Sequence, residues 1–496
     1  MRGNGHGRLQ VWRRQVQAVW SQCIGQDRDD FMLTYRARAR LFGSHSSVWT
    51  VKTLSLSASI LFGLFCTLLL PAAAHAQAAQ ANWWESLTGS GTPDYTGRRQ
   101  EERQRQARRA EQLDDLRPDA VPLRSDEMVA FMEAAIAKYQ QIADAGGWPL
   151  VPPGRMMREG EDDERVAILR RRLIATGDLK PNGSYYNSYS FDSELTAAVR
   201  NFQRRHGLRP TGRVERSTYP ALNVSVDERI AQLRLNLGRV RELMSMPRDE
   251  RYVLVNVPAF QLEAVEKYEV QQRHRVIVGR AERQSPSVKA TIRALNFFPY
   301  WRVPDSVAHL DLIPRLKQEP DYLQNEKIRV LDPAGAREVD QHTVDWNSPE
   351  ARRLKFRQDP GPQNALGLVR IDMPNEHTVY MHDTPMKELF GQRSRAFSAG
   401  CVRVEGVFDL VDWIAGYEPG WSGPGNAQRI VEGGQAVDVT LTRPIPVYFT
   451  YITAWAERDG EVEFRPDIYG RDGTVDRIAE MDRDPNEPPP AVTLAP

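Results

Sequence analysis

Hydrophobic positions fall first at helical and then at strand spacing along this chain. Met128, Phe131, Ala135, Ile136, Tyr139 and Ile142 predict a helix over 127–145, stopped by Gly146-Gly147-Trp148-Pro149. Val166, Leu169 and Leu173 mark a short amphipathic helix, and Leu195, Ala198, Val199 and Phe202 mark another. Gly207 ends the second, Arg209-Pro210-Thr211-Gly212 forms a turn, and Thr218 to Leu222 begins a third element. Segment 160–223 is therefore expected to be a compact three-helix module. A long helix follows over about 226–243.

Strand signals then take over at Tyr252 to Val257, Gln261 to Val265 and Arg275 to Val278. They return at Leu368 to Asp372, Thr378 to His382, Val437 to Leu441 and Val447 to Trp455. Between them, 304–366 mixes a helix (Leu310 to Leu316) with Pro and Gly turns and a polar stretch, as an insertion or lid would. Val407, Leu410, Val411 and Ile414 put a helix after Cys401, so the thiol is expected near a helix N-terminus. The predicted fold is α+β. A β-rich domain over 249–475 carries the lid. A helical scaffold, 124–159 and 224–248, has the module set into it.

The N-terminal region changes the picture. Leu54 to Leu70 is almost continuously apolar, Lys52 precedes it, and Ala74-His75-Ala76-Gln77 follows. A basic flank, an apolar run and a small-x-small site predict a secretory signal cleaved after Ala76, with an uncleaved anchor as the alternative. Residues 1–76 form that signal with an extended leading region, and Met32 is an alternative start to Met1. The Gln-rich charged run from Arg98 to Glu111 lacks an apolar stripe, so 77–123 is expected to be a disordered linker, as is the Pro-rich tail 476–496. Export places the protein in the periplasm or cell envelope, with membrane contact only through the signal or anchor. A formal net charge of +1 argues against nucleic acid as a partner.

The chain has three cysteines, Cys23, Cys66 and Cys401. Cleavage after Ala76 leaves Cys401 alone, so the mature chain cannot form an internal disulfide. Such a thiol is either buried and inert or kept for its chemistry. Tyr380-Met381-His382-Asp383-Thr384-Pro385 ends a strand and enters a turn; Ser398-Ala399-Gly400-Cys401-Val402-Arg403-Val404 follows. A thiol becomes a good nucleophile only as thiolate, and an imidazole can take its proton. Gly400 lets backbone approach a substrate carbonyl closely. A Cys–His pairing of Cys401 and His382 is suggested by this chemistry and not fixed by it. His206 is expected at the surface, and no set of ligands suggests a metal. No cofactor is implied.

His-Asp-Thr-Pro followed by Ser-x-Gly-Cys-Val-Arg resembles the active-site signature of the YkuD-type L,D-transpeptidases, most closely their large periplasmic, YcbB-like branch. Ala259-Phe260-Gln261-Leu262, Val276-Ile277-Val278-Gly279-Arg280, Asn296 through Pro304 and Pro444 through Trp455 resemble further stretches of that domain. The resemblance implies that Cys401 is the nucleophile and His382 the base. It also implies that Tyr380 helps bind substrate or its oxyanion, and that Arg403 holds a carboxylate or braces the cysteine loop. Ser398 is expected to be a loop hydrogen-bonder, since no Gly-x-Ser-x-Gly elbow is present. Many smaller members have His where this chain has Ala399; the base is then still His382. Phe202-Gln203-Arg204-Arg205-His206-Gly207-Leu208 and Thr211-Gly212 resemble the PG-binding-1 type of peptidoglycan-binding domain, which implies Phe202, Arg204, Arg205 and Leu208 as its candidate residues.

The implied reaction is 3→3 cross-linking of peptidoglycan stem tetrapeptides through a cysteine acyl-enzyme with release of D-Ala. Alternatives are D-amino-acid exchange, stem trimming, attachment of proteins to the wall, or a non-catalytic wall-binding scaffold. Expected partners are stem peptides and other cell-wall enzymes.

Overall fold

The computed structural model describes residues 116, 120–183 and 187–473. The expected signal, the body of the linker and the tail lie outside these residues. Among the described residues no helix is long and apolar enough to cross a membrane.

Helix α1 (Asp126–Asp144) begins where the Ser125 side chain accepts the Met128 N–H, with Asp126 and Glu127 in its first turn. Such a cap stabilises a helix by about 1 kcal/mol, and the acidic residues favour its positive end. The chain then makes the module: α2 (Arg165–Thr176), α3 (Ser193–Arg205) and α4 (Thr218–Asn223). α2 stops at Gly177, whose φ of 87° suits a residue without a Cβ. Leu169, Leu173, Leu195, Val199, Phe202 and Leu208 form the module's own core. Helix α5 (Val226–Ser245) starts on a reciprocal Ser225–Glu228 capping box and returns to pack on α1.

The C-terminal half is a sheet of β1 (Arg251–Asn256), β2 (Gln261–Glu266), β3 (Glu269–Gly279), β4 (Val288–Phe297), β8 (Val369–Asp372), β9 (Met381–His382), β10 (Ala396–Ser398), β11 (Val402–Val404) and β12 (Val437–Thr450). Its order is β10-β3-β11-β9-β8-β4-β12-β1-β2, and β2 also pairs with β3, so the sheet closes on itself like a barrel. Strand alternation divides two cores. Val253, Val255, Val447 and Phe449 join one with α6 (Val407–Ala415), while Tyr252, Leu254 and Tyr448 join the other with α1 and α5. β1 is buried on both faces, which is why it reads as a continuous apolar run. A last helix, α7 (Asn426–Glu432), packs on α6.

Two segments differ from the sequence expectation. The late strands predicted separately at Val437 to Leu441 and Val447 to Trp455 share one long strand, β12, whose register shifts between Thr440 and Ile445, around Pro444; the chain then breaks before β13 (Ala454–Ala456). A proline cannot donate to a ladder, and the irregularity accommodates it. The lid is more than a loop. β5 (Trp301–Arg302), β6 (Ile328–Leu331) and β7 (Lys355–Gln358) form a three-stranded sheet of order β5-β7-β6. With the helical stretch from Asp305 to Leu316 it encloses its own core of Trp301, Leu312, Leu323, Val330, Phe356 and Leu366. Strands of two to four residues are too short to show a period of two.

The module is fixed to the β13–β14 (Val462–Phe464) hairpin. Arg204 pairs with Glu461 and Glu463, Arg205 donates to the Val462 carbonyl, and the His206 ring stacks between Phe202 and Phe464. His206 is thus buried, contrary to the surface position expected for it. Its ring fills the apolar junction between the module and the hairpin.

Candidate active site

Parallel pairing of β9 with β11 brings the two sequence motifs side by side. Val402 pairs with Met381 and Arg403 with His382, and the Val402 N–H donates to the Tyr380 carbonyl at 3.0 Å. Met381 and Val402 enter the barrel core, so the alternate positions His382 and Arg403 face the other side. Register extends this row. His382 pairs with Arg370 on β8, Arg370 with Asn296 on β4, and Asn296 with Asp438 on β12. His382 and Arg403 are buried, Arg370 and Asn296 are half-buried, and Asp438 is exposed. The row therefore opens toward solvent away from the cysteine.

The turn before Cys401 is tied down from two directions. Ser398 Oγ accepts the Gly400 N–H at 3.1 Å and donates to the Cys401 carbonyl at 2.6 Å. Ser285 Oγ donates to the Gly400 carbonyl at 2.8 Å and accepts the Gly279 N–H at 2.9 Å. Gly400 has a φ of 126°, a conformation that glycine alone adopts without strain. Ser398 is fully buried and spent on this turn. One expectation needs correcting: Cys401 does not head a helix. It leads into strand β11, and α6 starts only after Gly406, so the thiol does not sit at the N-terminus of α6. The helical pattern after the motif was real, but three strand residues intervene.

Electrostatics come from side chains instead. Burial pushes the Cys401 thiol up to about 11, opposed by hydrogen bonding to Tyr380 and by the charges of Arg403 and Arg370. Burial pushes His382 down to about 3, with the Arg403 cation adding to the effect. The resting pair is thus a neutral thiol and a neutral imidazole. His382 Nδ1 faces the Asp383 carbonyl oxygen at 2.5 Å. A carbonyl can only accept, so Nδ1 carries the proton and Nε2 keeps its lone pair. Nε2 is buried and makes no well-formed hydrogen bond among the described residues, although the Leu366 backbone also lies close to the ring.

Arg403 is buried, and no carboxylate lies within salt-bridge distance of it among the described residues; its Nη1 rests 3.9 Å from the Met386 sulfur. Burial lowers its pKa to about 10, which leaves it charged at neutral pH. A fixed cation beside a thiol favours negative charge that develops there. The Tyr380 hydroxyl is hydrogen-bonded to Cys401, and burial raises its pKa well above that of a free phenol, so it is a neutral donor. Asp383 does not orient the imidazole through its carboxylate. It accepts the Leu368 N–H at 2.9 Å and pairs with Lys387, and Gly367 is required because a Cβ there would lie 2.3 Å from Asp383 Oδ2.

The lid covers this site. Tyr380 and Ala399 pack against the lid core that holds Trp301 and Leu366. Cys401 is 7 % exposed and His382 0 %. Asp311 in the lid is paired with Arg280 and Arg283, from the same β3–β4 loop that carries Ser285. Sequence reasoning missed Ser285, Trp301 and Arg370, which meet the cysteine loop or Tyr380 only through long-range packing, and Asp311, which reaches the β3–β4 loop in the same way. Of the four module candidates, Phe202 and Leu208 are core, Arg205 is buried against Asp178 at 2.5 Å, and Arg204 is committed to Glu461 and Glu463. All four are occupied inside the protein, so a wall-contacting face on the module would use other side chains.

Residues 250–439 match the YkuD family model, an L,D-transpeptidase catalytic domain, and residues 162–222 match one described as "Putative peptidoglycan binding domain". A Haemophilus influenzae protein named "Putative L,D-transpeptidase" is 31% identical over 254 residues, which cover 51% of this chain and 50% of that protein. The chain thus spans about half the length of this curated relative. Among solved structures, an L,D-transpeptidase from Stackebrandtia nassauensis aligns at 13% identity over 63% of this chain and 99% of its own, with a TM-score of 0.23. L,D-transpeptidase 3 from Mycobacterium tuberculosis, in complex with a faropenem-derived adduct, aligns at 9% identity over 40% of this chain and 60% of its own, with a TM-score of 0.20. At such scores the structural likeness carries no further weight.

Proposed function

From a chain that carries a YkuD-family L,D-transpeptidase catalytic domain and a peptidoglycan-binding domain, we infer a cell-envelope enzyme of the large YcbB-like type that cross-links peptidoglycan stems, with Cys401 as nucleophile and His382 as base. The observation that carries this reading is the tautomer of His382. Its Nδ1 faces the Asp383 carbonyl, and its Nε2 makes no well-formed hydrogen bond in the buried site, where β9–β11 pairing sets the His382 motif beside that of Cys401 and Arg403.

In the proposed reaction His382 Nε2 takes the thiol proton as Sγ attacks the carbonyl carbon of the third stem residue. The carbonyl oxygen becomes negative, with the Tyr380 hydroxyl and the Arg403 cation to stabilise it. The C–N bond to D-Ala breaks, and the departing amine takes the proton from His382. A thioester remains. The side-chain amine of a second stem's diamino acid then attacks the thioester and gives its proton to His382. The C–S bond breaks, Sγ regains a proton, and a 3→3 cross-link is complete.

The test is incubation with purified tetrapeptide stems, read by mass. Wild type should release D-Ala and form dimers. Cys401→Ser should form neither adduct nor dimer. His382→Ala should slow acylation about 100-fold or more, within the usual contribution of a general base. Dimers from Cys401→Ser, or an unimpaired His382→Ala, would sink the mechanism.

A further inference from the structure

The polar row described above continues past the catalytic pair to Arg370 and Asn296. Arg370 pairs with His382 across β8 and β9, and its guanidinium lies over the Tyr380 ring, 5.5 Å from the centroid. Its Nε donates to Asn296 Oδ1 at 3.1 Å, and its Nη2 lies 3.2 Å from Asp372 Oδ1. Both charged side chains keep 32 % of their surface open. An ion pair placed at the open end of a buried catalytic row presents a cation and an anion together to whatever enters.

We propose that Arg370, with Asp372 beside it, is the specificity determinant for the donor stem: the guanidinium takes the carboxylate at the end of the third residue's side chain, and Asp372 takes the ammonium next to it. This rests on the transpeptidase reading above. Geometry supports the assignment. Neighbouring strands lie about 4.8 Å apart, so β8 stands about 10 Å from β11, at whose start Cys401 sits. A diamino acid with three methylenes between its two amino-acid ends spans a gap of that order when its near carbonyl is at the thiol. Arg370 approaches its protein partners through Nε and Nη2, which leaves the Nη1 edge for a second carboxylate. Asn296 holds the guanidinium in place and Tyr380 supports its face, so little side-chain freedom is lost on binding.

The experiment follows acyl-enzyme formation by intact mass in the full chain, with no acceptor present. Three tetrapeptide donors are compared, with diaminopimelate, side-chain-amidated diaminopimelate or lysine at the third position. Wild type should acylate with the free-carboxylate donor about 10- to 100-fold faster than with the other two, as a charge-assisted contact dictates. Arg370→Gln should lose that preference, leaving the three donors within about twofold of one another, a spread too small for one hydrogen bond. Arg370→Lys should keep part of it. Equal slowing of all three donors in Arg370→Gln would overturn the proposal and make Arg370 a support for Tyr380. An absence of preference in wild type would also overturn it. Failure of wild type to acylate with any donor would overturn the transpeptidase reading itself, and the inference with it.

Discussion

Ser285 donates its hydroxyl to the carbonyl of Gly400 across 115 residues of chain, and so holds the residue that precedes the nucleophile. The same oxygen accepts the Gly279 N–H. Ser285→Ala leaves a buried carbonyl and a buried N–H without these partners, a loss of about 1–3 kcal/mol in stability. The cysteine turn should loosen as well. Acylation by a tetrapeptide stem should slow by about tenfold, the effect of losing one buried hydrogen bond. Urea unfolding and intact-mass kinetics measure the two. Wild-type values in both would contradict this role.

Asp311 ties the lid to the β3–β4 loop through Arg280 and Arg283. Asp311→Ala should favour lid opening and expose Cys401. In a chain with Cys23 and Cys66 replaced by Ser, the reaction of Cys401 with a thiol reagent should speed up by about tenfold, the population shift that a loss of ~1–2 kcal/mol produces. An unchanged rate would show that the fork does not hold the lid.

Two of the buried histidines, His382 and His206, bear on the acid behaviour. His382 is held down to about 3, mainly by burial, so it stays an unprotonated base well below the ordinary imidazole pKa. Acylation should therefore be sustained from pH 7 to 5; a decline centred near 6.5 would contradict the buried, neutral state. His206 is lowered by burial first and then by the charges of Arg205 and Arg229. Below about 6.5 the unfolded chain binds a proton that the folded chain refuses. The stability linked to His206 is thus complete above 6.5 and is lost as pH falls. Tm should drop less steeply from pH 6.5 to 4 in His206→Gln than in wild type, and equal slopes would count against this account.

Arg205 and Asp178 are both nearly inaccessible and joined at 2.5 Å. Asp178→Ala strands a buried cation and should cost about 3–5 kcal/mol in urea unfolding. Replacing both partners by apolar residues should recover much of that loss. A cost below about 1 kcal/mol for the single change would mean that water reaches the pair.

Long periodic segments were legible in the sequence, and short or distant relationships were not. α1 was expected over 127–145 and runs over Asp126–Asp144, because a capped amphipathic helix writes its apolar stripe over many turns. His382 and Cys401 could be singled out, since their motifs are local and chemically distinctive. What brings them together is the β9–β11 pairing, and a sheet register between strands of two and three residues leaves no periodic trace. The partners of the α3 arginines were hidden for a related reason. Arg204 and Arg205 look like a basic surface until the hairpin supplies Glu461, Glu463 and the Val462 carbonyl, over 250 residues later.

That grip of the hairpin on α3 has a mechanical meaning. Arg204, Arg205 and His206 meet β14 and its flanks through two ion pairs, a hydrogen bond and a ring stack, all inside one continuous junction. A wall-binding module on a slack cord would let its enzyme graze anywhere within the cord's length. A module clamped in this way acts as a caliper. On the proposed reading, a module seated on a wall strand would hold Cys401 at a fixed offset from that strand, and the fold itself would be the ruler that selects which neighbouring stem is within reach.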